Sequence, residues 1–113
     1  MLFRSLVSVV IPMRNEAAHI RSCIDSVLAQ EYPAECLEVI AVDGDSDDAT
    51  LEVLHGYGDR VRVLHNPARI VPTAMNIGIR AARGEIIARV DAHTELASDY
   101  IGVGVQTLPG PNH

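Results

Sequence analysis

The chain has 113 residues, 48% of them hydrophobic and 21% charged, which supports one domain with a modest core and excludes a disordered or fibrous polypeptide. A formal charge of -6 argues against a general nucleic-acid binder, although all nine basic residues are arginine, a side chain suited to bidentate phosphate or carboxylate contacts as well as a product of coding bias. Two cysteines, Cys23 and Cys36, with no CxxC or Cys/His cluster indicate neither a zinc site nor a disulfide framework, so reduced thiols in a cytoplasmic setting are the expectation. No run approaches the roughly 20 apolar residues of a membrane span, and the early apolar run lacks the cleavage site of a signal peptide.

Residues 6–12 (LVSVVIP) are β-branched, nearly all apolar and too short for a helix, the pattern of a strand covered on both faces. From Glu16 the period changes to 3.6, with Ile20, Cys23, Ile24, Val27 and Leu28 on one stripe and Asn15 placed to cap it. Tyr32 and Pro33 break that helix. A second strand over 37–42 (LEVIAV) runs into the acidic loop 43–48, where Ser46 is placed to cap a helix reaching about His55, stopped by Gly56 and Gly58. Residues 60–65 alternate as a short, less buried strand. A third helix should start near Pro72 and Thr73, bury Ala74, Ile77 and Ala81, and finish at Gly84, with a strand over 85–90 at once behind it. Residues 101–105 are broken by glycine and 108–113 read as a frayed end.

This alternation of strands and helices predicts an α/β, doubly wound, mainly parallel sheet with helices on both faces. In such sheets ligands sit outside the carboxyl ends of the strands, where loops converge side chains while the strands stay rigid. Three strands here end in acids: Glu16 after the first, Asp43, Asp45, Asp47 and Asp48 after the second, Asp91 after the fourth.

The loop VDGDSDDAT fails as an EF-hand, because Asp48 stands where glycine and Leu54 where glutamate is needed. Helix capping accounts for Ser46, Asp47 and Asp48 but not for Asp43, which should point into the crevice. The loop after the first strand, PMRNEA, has no GxGxxG, and P-loop and GxSxG patterns are absent; a phosphoacceptor domain would need the lysine this chain lacks. Asp91 and His93, two apart in an extended segment, share a face and suit either a divalent cation or a backbone hydrogen bond from His93. Arg69 precedes a helix start, where it would hold a phosphate or remain solvated.

Taken in order, VSVVIPMRNE, VDGDSDDAT and NPARIVPTAMNIGIRAARGEIIARVDAHTELASDYI resemble glycosyltransferase family 2, the inverting sugar-nucleotide transferases of GT-A fold, and look closest to the bacterial exopolysaccharide enzymes of succinoglycan type. The resemblance covers roughly residues 5–101 and implies a single, partial GT-A domain over 1–113, the nucleotide-sugar-binding half. It implies that Pro12, Arg14 and Glu16 border the nucleotide, that Asp43 or Asp45 meets the base, and that Arg69 and Asn76 lie near the diphosphate. Asp91 and His93 occupy the DxD positions that hold ribose and a divalent metal, Mn²⁺ or Mg²⁺, with His93 replacing the usual acid. The implied partners are a nucleotide-sugar donor, UDP-glucose or a relative, and a saccharide or lipid-linked saccharide acceptor at the inner face of the cell membrane, reached through other segments or proteins. The general base that inversion requires is expected beyond His113. The runner-up is a non-catalytic nucleotide-binding remnant.

Overall fold

The computed structural model describes residues 4–107. Four strands, β1 (Val7–Met13), β2 (Leu37–Asp43), β3 (Arg62–His65) and β4 (Ile86–Arg89), form one sheet in the order β3-β2-β1-β4, parallel at every pairing. The helices are α1 (Ile20–Leu28), α2 (Thr50–His55), α3 (Val71–Ala81) and α4 (Tyr100–Thr107).

The unbroken apolar run of β1 finds its reason in the centre of the sheet, where all seven residues are buried. Alternate side chains enter two cores. Val7, Val9, Ile11 and Met13 join Val39 and Ala41 of β2 and the α1 stripe of Ile20, Cys23, Ile24 and Val27 on one face. Val10 joins Ile40, Val42 and Ala74 of α3 on the other. The chain moves outward from β1 through β2 to β3 and then crosses back to β4, so right-handed crossovers place α1 and α2 on one face and α3 on the opposite one. Two glycines permit the closest approaches. A Cβ at Gly78 would stand 2.4 Å from Val10 Cγ1, and one at Gly84 would stand 2.7 Å from the Leu6 carbonyl oxygen.

The structure corrects several boundaries. Helix α1 begins at Ile20, not Glu16, and Asn15 does not cap it: Asn15 has φ 54° and its Oδ1 accepts the Asp47 N–H at 2.7 Å. Ser46 does not cap α2, which starts four residues later with Asp48 Oδ1 accepting the Thr50 N–H at 2.9 Å. Both polar side chains are drawn to the neighbouring loop instead of to their own helix. Strand β3 starts at Arg62 because residues 58–60 form a short 3-10 turn. Strand β4 covers 86–89, and Gly78 rather than Ile77 or Ala81 is fully buried beside Ala74 in α3. Residues 101–105, expected to be irregular, lie inside α4; buried Ile101 anchors it to the main core and its N–H donates to Gln30 Oε1 at 2.8 Å, tertiary contacts that outweigh two glycines. The expected frayed end at 108–113 lies outside the described residues.

Candidate functional site

At the carboxyl ends of the strands the connecting loops enclose a cavity of about 290 Å³. Pro12, Arg14 and Glu16 reach it from the end of β1, Asn66 and Arg69 from the end of β3, Asp91 and His93 from beyond β4, and Ile70, Val71 and Ala74 bring the first turn of α3. This is the crevice at which the order of strands reverses. A larger hollow of about 530 Å³ lies between β4 and α4, lined mainly by Val7, Ile86, Ile87, Tyr100, Ile101 and Val103. Its lining is mostly apolar, with Arg89 and Asp99 its only charged residues, whereas the smaller cavity gathers polar side chains from three strand ends.

The loops around the site are braced against each other by pairs about 30 residues apart. Ser46 Oγ accepts the Asn15 N–H at 2.9 Å, Thr50 Oγ1 accepts the Glu16 N–H at 2.9 Å, and Asp48 Oδ2 accepts the Ala17 N–H at 3.2 Å. Arg14 Nη2 lies 3.1 Å from Asp47 Oδ2. The Thr50 hydroxyl, foremost among the groups that hydrogen-bond Asp48, holds that carboxyl below the usual range. Three non-glycine residues adopt left-handed backbone among the described residues: Asn15, Asp45 and Arg69, with φ of 54°, 59° and 67°. All three stand in the loops of this site, and such strain persists where surrounding contacts over-determine the backbone. At Arg69 the left-handed turn accompanies an ion pair with Asp45 at 2.7 Å, and that hydrogen bond and charge raise the guanidinium further above neutrality.

The expected site residues are therefore only partly brought together. Pro12, Arg14, Glu16, Arg69, Asp91 and His93 share the cavity. Asp45 is paired with Arg69 but is not among the lining residues. Asp43 is fully buried and does not line the cavity: its Oδ1 accepts from the Ser46 hydroxyl at 2.5 Å and its Oδ2 from the Ser46 N–H at 3.2 Å. Asn76 lies on an exposed part of α3, away from the lining. In the sequence Asn66 stands directly after the alternating run 60–65 and before Pro67. Its position at a strand end ahead of a helix start, the same placement that singled out the acids, was the signal for a site residue.

His93 Nε2 lies 2.8 Å from Glu16 Oε2, a carboxylate whose side chain is only 15% exposed, and the His93 ring meets His19 edge-on with centroids 5.1 Å apart. The Asp91 carboxylate is 67% exposed, with Arg89 at 3.6 Å. Among the described residues no three His, Cys, Asp or Glu side chains form a ready-made metal cage. One carboxylate with one imidazole is nevertheless a donor set that fits a divalent ion completing its shell with phosphate oxygens and water.

Cys23 packs behind the site, its Sγ donating to the Asp91 carbonyl oxygen at 3.5 Å. Burial, followed by the charges of Asp91 and Glu16, pushes its thiol up to about 11. Cys23 should therefore stay unmodified by iodoacetamide in the native protein at pH 8, since the thiolate is the nucleophile, while half-buried Cys36 is alkylated first. Peptide mapping after a timed reaction checks this; alkylation of Cys23 at or ahead of Cys36 would contradict it.

Comparison with known proteins agrees with this architecture. The protein family described as glycosyl transferase family 2 matches residues 8–113. The chain is 33% identical over 108 residues to glycosyltransferase AglE of Haloferax volcanii, covering 92% of this chain and 36% of that protein. It is 36% identical over 96 residues to the uncharacterized glycosyltransferase EpsJ of Bacillus subtilis, covering 82% and 27%. Among solved structures, the mannosyltransferase PcManGT of Pyrobaculum calidifontis, in complex with GDP-Man and Mn²⁺, superposes with a TM-score of 0.90 at 30% identity over 96% of this chain and 34% of that one. The chain thus spans about a third of the length of such relatives. A parallel sheet wound in the GT-A manner, with polar loops gathered over its switch point and a family match across nearly its whole length, places this chain in glycosyl transferase family 2.

Proposed function

We propose that the chain is the donor-binding half of an inverting glycosyltransferase that takes a sugar from a nucleotide sugar of the UDP-glucose type and extends a lipid-linked saccharide in exopolysaccharide synthesis at the cytoplasmic face of the membrane. The observation that carries the reading is the single cavity shared by Pro12, Arg14, Glu16, Arg69, Asp91 and His93, residues from three different loops. The GDP-Man and Mn²⁺ with which PcManGT is in complex support a metal-assisted, nucleotide-sugar site. No described helix is long and apolar enough to cross a membrane, so membrane contact is assigned to other segments or partners.

In this reading Pro12, Arg14 and Glu16 border the nucleotide, and the loop carrying Asp43 and Asp45, expected at the base, supports that side from outside the cavity lining. Arg69 serves the diphosphate, whereas Asn76, expected beside it, stands off the cavity lining. Asp91 holds ribose and metal, and His93 the metal. When bound, the cation neutralises charge that develops on the departing nucleoside diphosphate. The chain's own part is to orient the donor: Glu16, whose backbone N–H is held by the Thr50 hydroxyl, holds His93 in place, and Arg14 and Arg69, positioned by their ion pairs with Asp47 and Asp45, present guanidinium N–H groups. No residue of the cavity is assigned the role of the base that accepts the acceptor's proton.

Turnover by the full-length protein with a panel of nucleotide sugars tests the activity; absence of transfer with every donor, alongside normal folding, refutes it. The metal carries a further expectation. Mn²⁺ accepts imidazole more readily than Mg²⁺, which prefers oxygen ligands and retains its waters. Nucleoside diphosphate binding should therefore be supported about tenfold better by Mn²⁺ than by Mg²⁺, and His93→Asp should erase most of that difference. Calorimetric titrations in each ion, with EDTA as the blank, measure it. Binding indifferent to EDTA and to His93→Ala removes His93 from the metal site.

A further inference from the structure

We propose that Asn66 is a specificity-determining residue whose Oδ1 accepts a hydrogen bond from the ring N–H of the donor's nucleobase, a role that strand-end position alone would give to Asp43. The inference rests on the donor-site reading above. Asn66 lines the cavity and is only 1% exposed. Every other polar atom it carries is used: its backbone N–H donates to the Asp43 carbonyl at 2.8 Å, its backbone oxygen accepts from the Arg69 N–H at 3.1 Å, and its Nδ2 donates to the Ile70 carbonyl at 2.9 Å. The Nδ2 contact fixes which side-chain atom is the amide nitrogen, and Oδ1 is left without a partner. Buried acceptors are almost always satisfied, and a side chain tied through Nδ2 to Ile70, on a backbone bonded through both its N–H and its carbonyl, is not free to turn and satisfy itself.

A carbonyl oxygen only accepts, so the complementary ligand atom must carry a hydrogen. Phosphate oxygens are thereby excluded as the partner, and a nucleobase N–H or a sugar hydroxyl remains. Position favours the base. Strand order separates β3, which ends beside Asn66, from β4, which leads to Asp91, by two intervening strands, so the two strands are roughly 14 Å apart and their residues enter the cavity from opposite ends. With the cation at Asp91 and His93, the base, which is the end of the donor nucleotide farthest from the cation, falls at the Asn66 end. Asp43 is a poor competitor, because both its carboxylate oxygens already accept from Ser46 and it does not reach the cavity wall. Its structural part is to hold the loop whose carbonyl positions Asn66.

The test is calorimetry on the full-length protein in Mn²⁺ with UDP and GDP, each beside its analogue methylated at the ring nitrogen, and with inorganic pyrophosphate. Wild-type protein should bind the preferred nucleotide about tenfold or more tightly than its methylated analogue, the usual size of one hydrogen bond in a dry site. Asn66→Ala should lose a similar factor for the parent nucleotide, show little further loss on methylation, and bind pyrophosphate as before. Asn66→Asp, which keeps an acceptor oxygen while giving up the Nδ2 bond to Ile70, should retain discrimination at a cost in stability and serves if the alanine variant does not fold. Equal weakening of nucleotide and pyrophosphate would reduce Asn66 to a loop support through Ile70. Discrimination that survives Asn66→Ala and vanishes in Asp43→Ala would return the contact to Asp43, and selective loss with the 2′-deoxy nucleotide would assign Asn66 to ribose. If the wild-type protein binds neither UDP nor GDP, the donor-site reading itself falls.

Discussion

Asp91→Ala is expected to lower the affinity of the full-length protein for Mn²⁺-bound UDP or GDP by about 100-fold or more, while leaving its melting temperature almost unchanged. Substitutions in the outer shell of a metal site typically cost 10- to 100-fold, and removal of a carboxylate that, in the proposed role, meets the cation directly should reach or exceed the upper end. The same exposure that frees Asp91 to meet a ligand makes it dispensable to the fold. Its carboxylate is 67% exposed and its one ion pair, with Arg89, is 3.6 Å long, a surface contact of the kind that contributes little. The structural tasks of the residue belong to its backbone, whose carbonyl accepts from the Thr94 N–H at 2.9 Å and from Cys23 Sγ, and alanine keeps both. An affinity within twofold of wild type, measured by calorimetry on protein with an unchanged melt, would remove Asp91 from the site.

The largest loss of stability is expected far from the cavity, at Gly84. An added Cβ there would stand 2.6 Å from Ser8 Oγ, 2.7 Å from the Leu6 carbonyl oxygen and 2.8 Å from the Ser8 nitrogen, two of which are backbone atoms where the chain enters the central strand. The Gly84 N–H donates to Ser8 Oγ at 2.8 Å, and Ser8 in turn donates to Glu38 Oε2 at 2.6 Å; the Arg83 N–H donates to the same oxygen at 2.9 Å. Burial raises the Glu38 carboxyl, but the Ser8 hydroxyl, the Arg83 N–H and the Arg62 charge together outweigh it and hold the group below its usual range. This cluster locks the entry of β4, where Glu85 N–H donates to the Leu6 carbonyl at 3.0 Å. Gly84→Ala forces β4 away from β1 and should cost roughly 3 kcal/mol or more, the upper range of overpacking because backbone cannot yield as a side-chain tip would. Urea denaturation at neutral pH measures it. Glu38, with a lowered folded pKa, contributes stability above the ordinary carboxylate pKa and loses it as the pH falls through the folded value, so acid conditions would mask part of the difference. A loss below about 1 kcal/mol would show that the β1–β4 junction has slack.

The sequence by itself determined the strands that matter most and their order of appearance. The β-branched runs of β1 and β2 leave no polar face to present to water, so each has to lie inside a covered sheet, and the 3.6-residue stripe of α1 has one face to bury against it. Polar residues placed directly after such strands had to gather at one edge, and the ordered motifs around them already identified the family. What those polar residues do once gathered was decided by tertiary structure. Asn15 and Ser46 stand where helix caps are expected, yet they bond across to each other's loops, because a partner about 30 residues away lies closer than the helix end. Asp43 and Asn66 look alike in position; Ser46 occupies both oxygens of the first, and nothing meets the Oδ1 of the second. The broken text of α4 became a helix only because Ile101 found the core and Gln30. Hydrophobic periodicity is a property of neighbours along the chain and can be read there, whereas a hydrogen bond depends on distance and angle between groups that only the packed fold brings together.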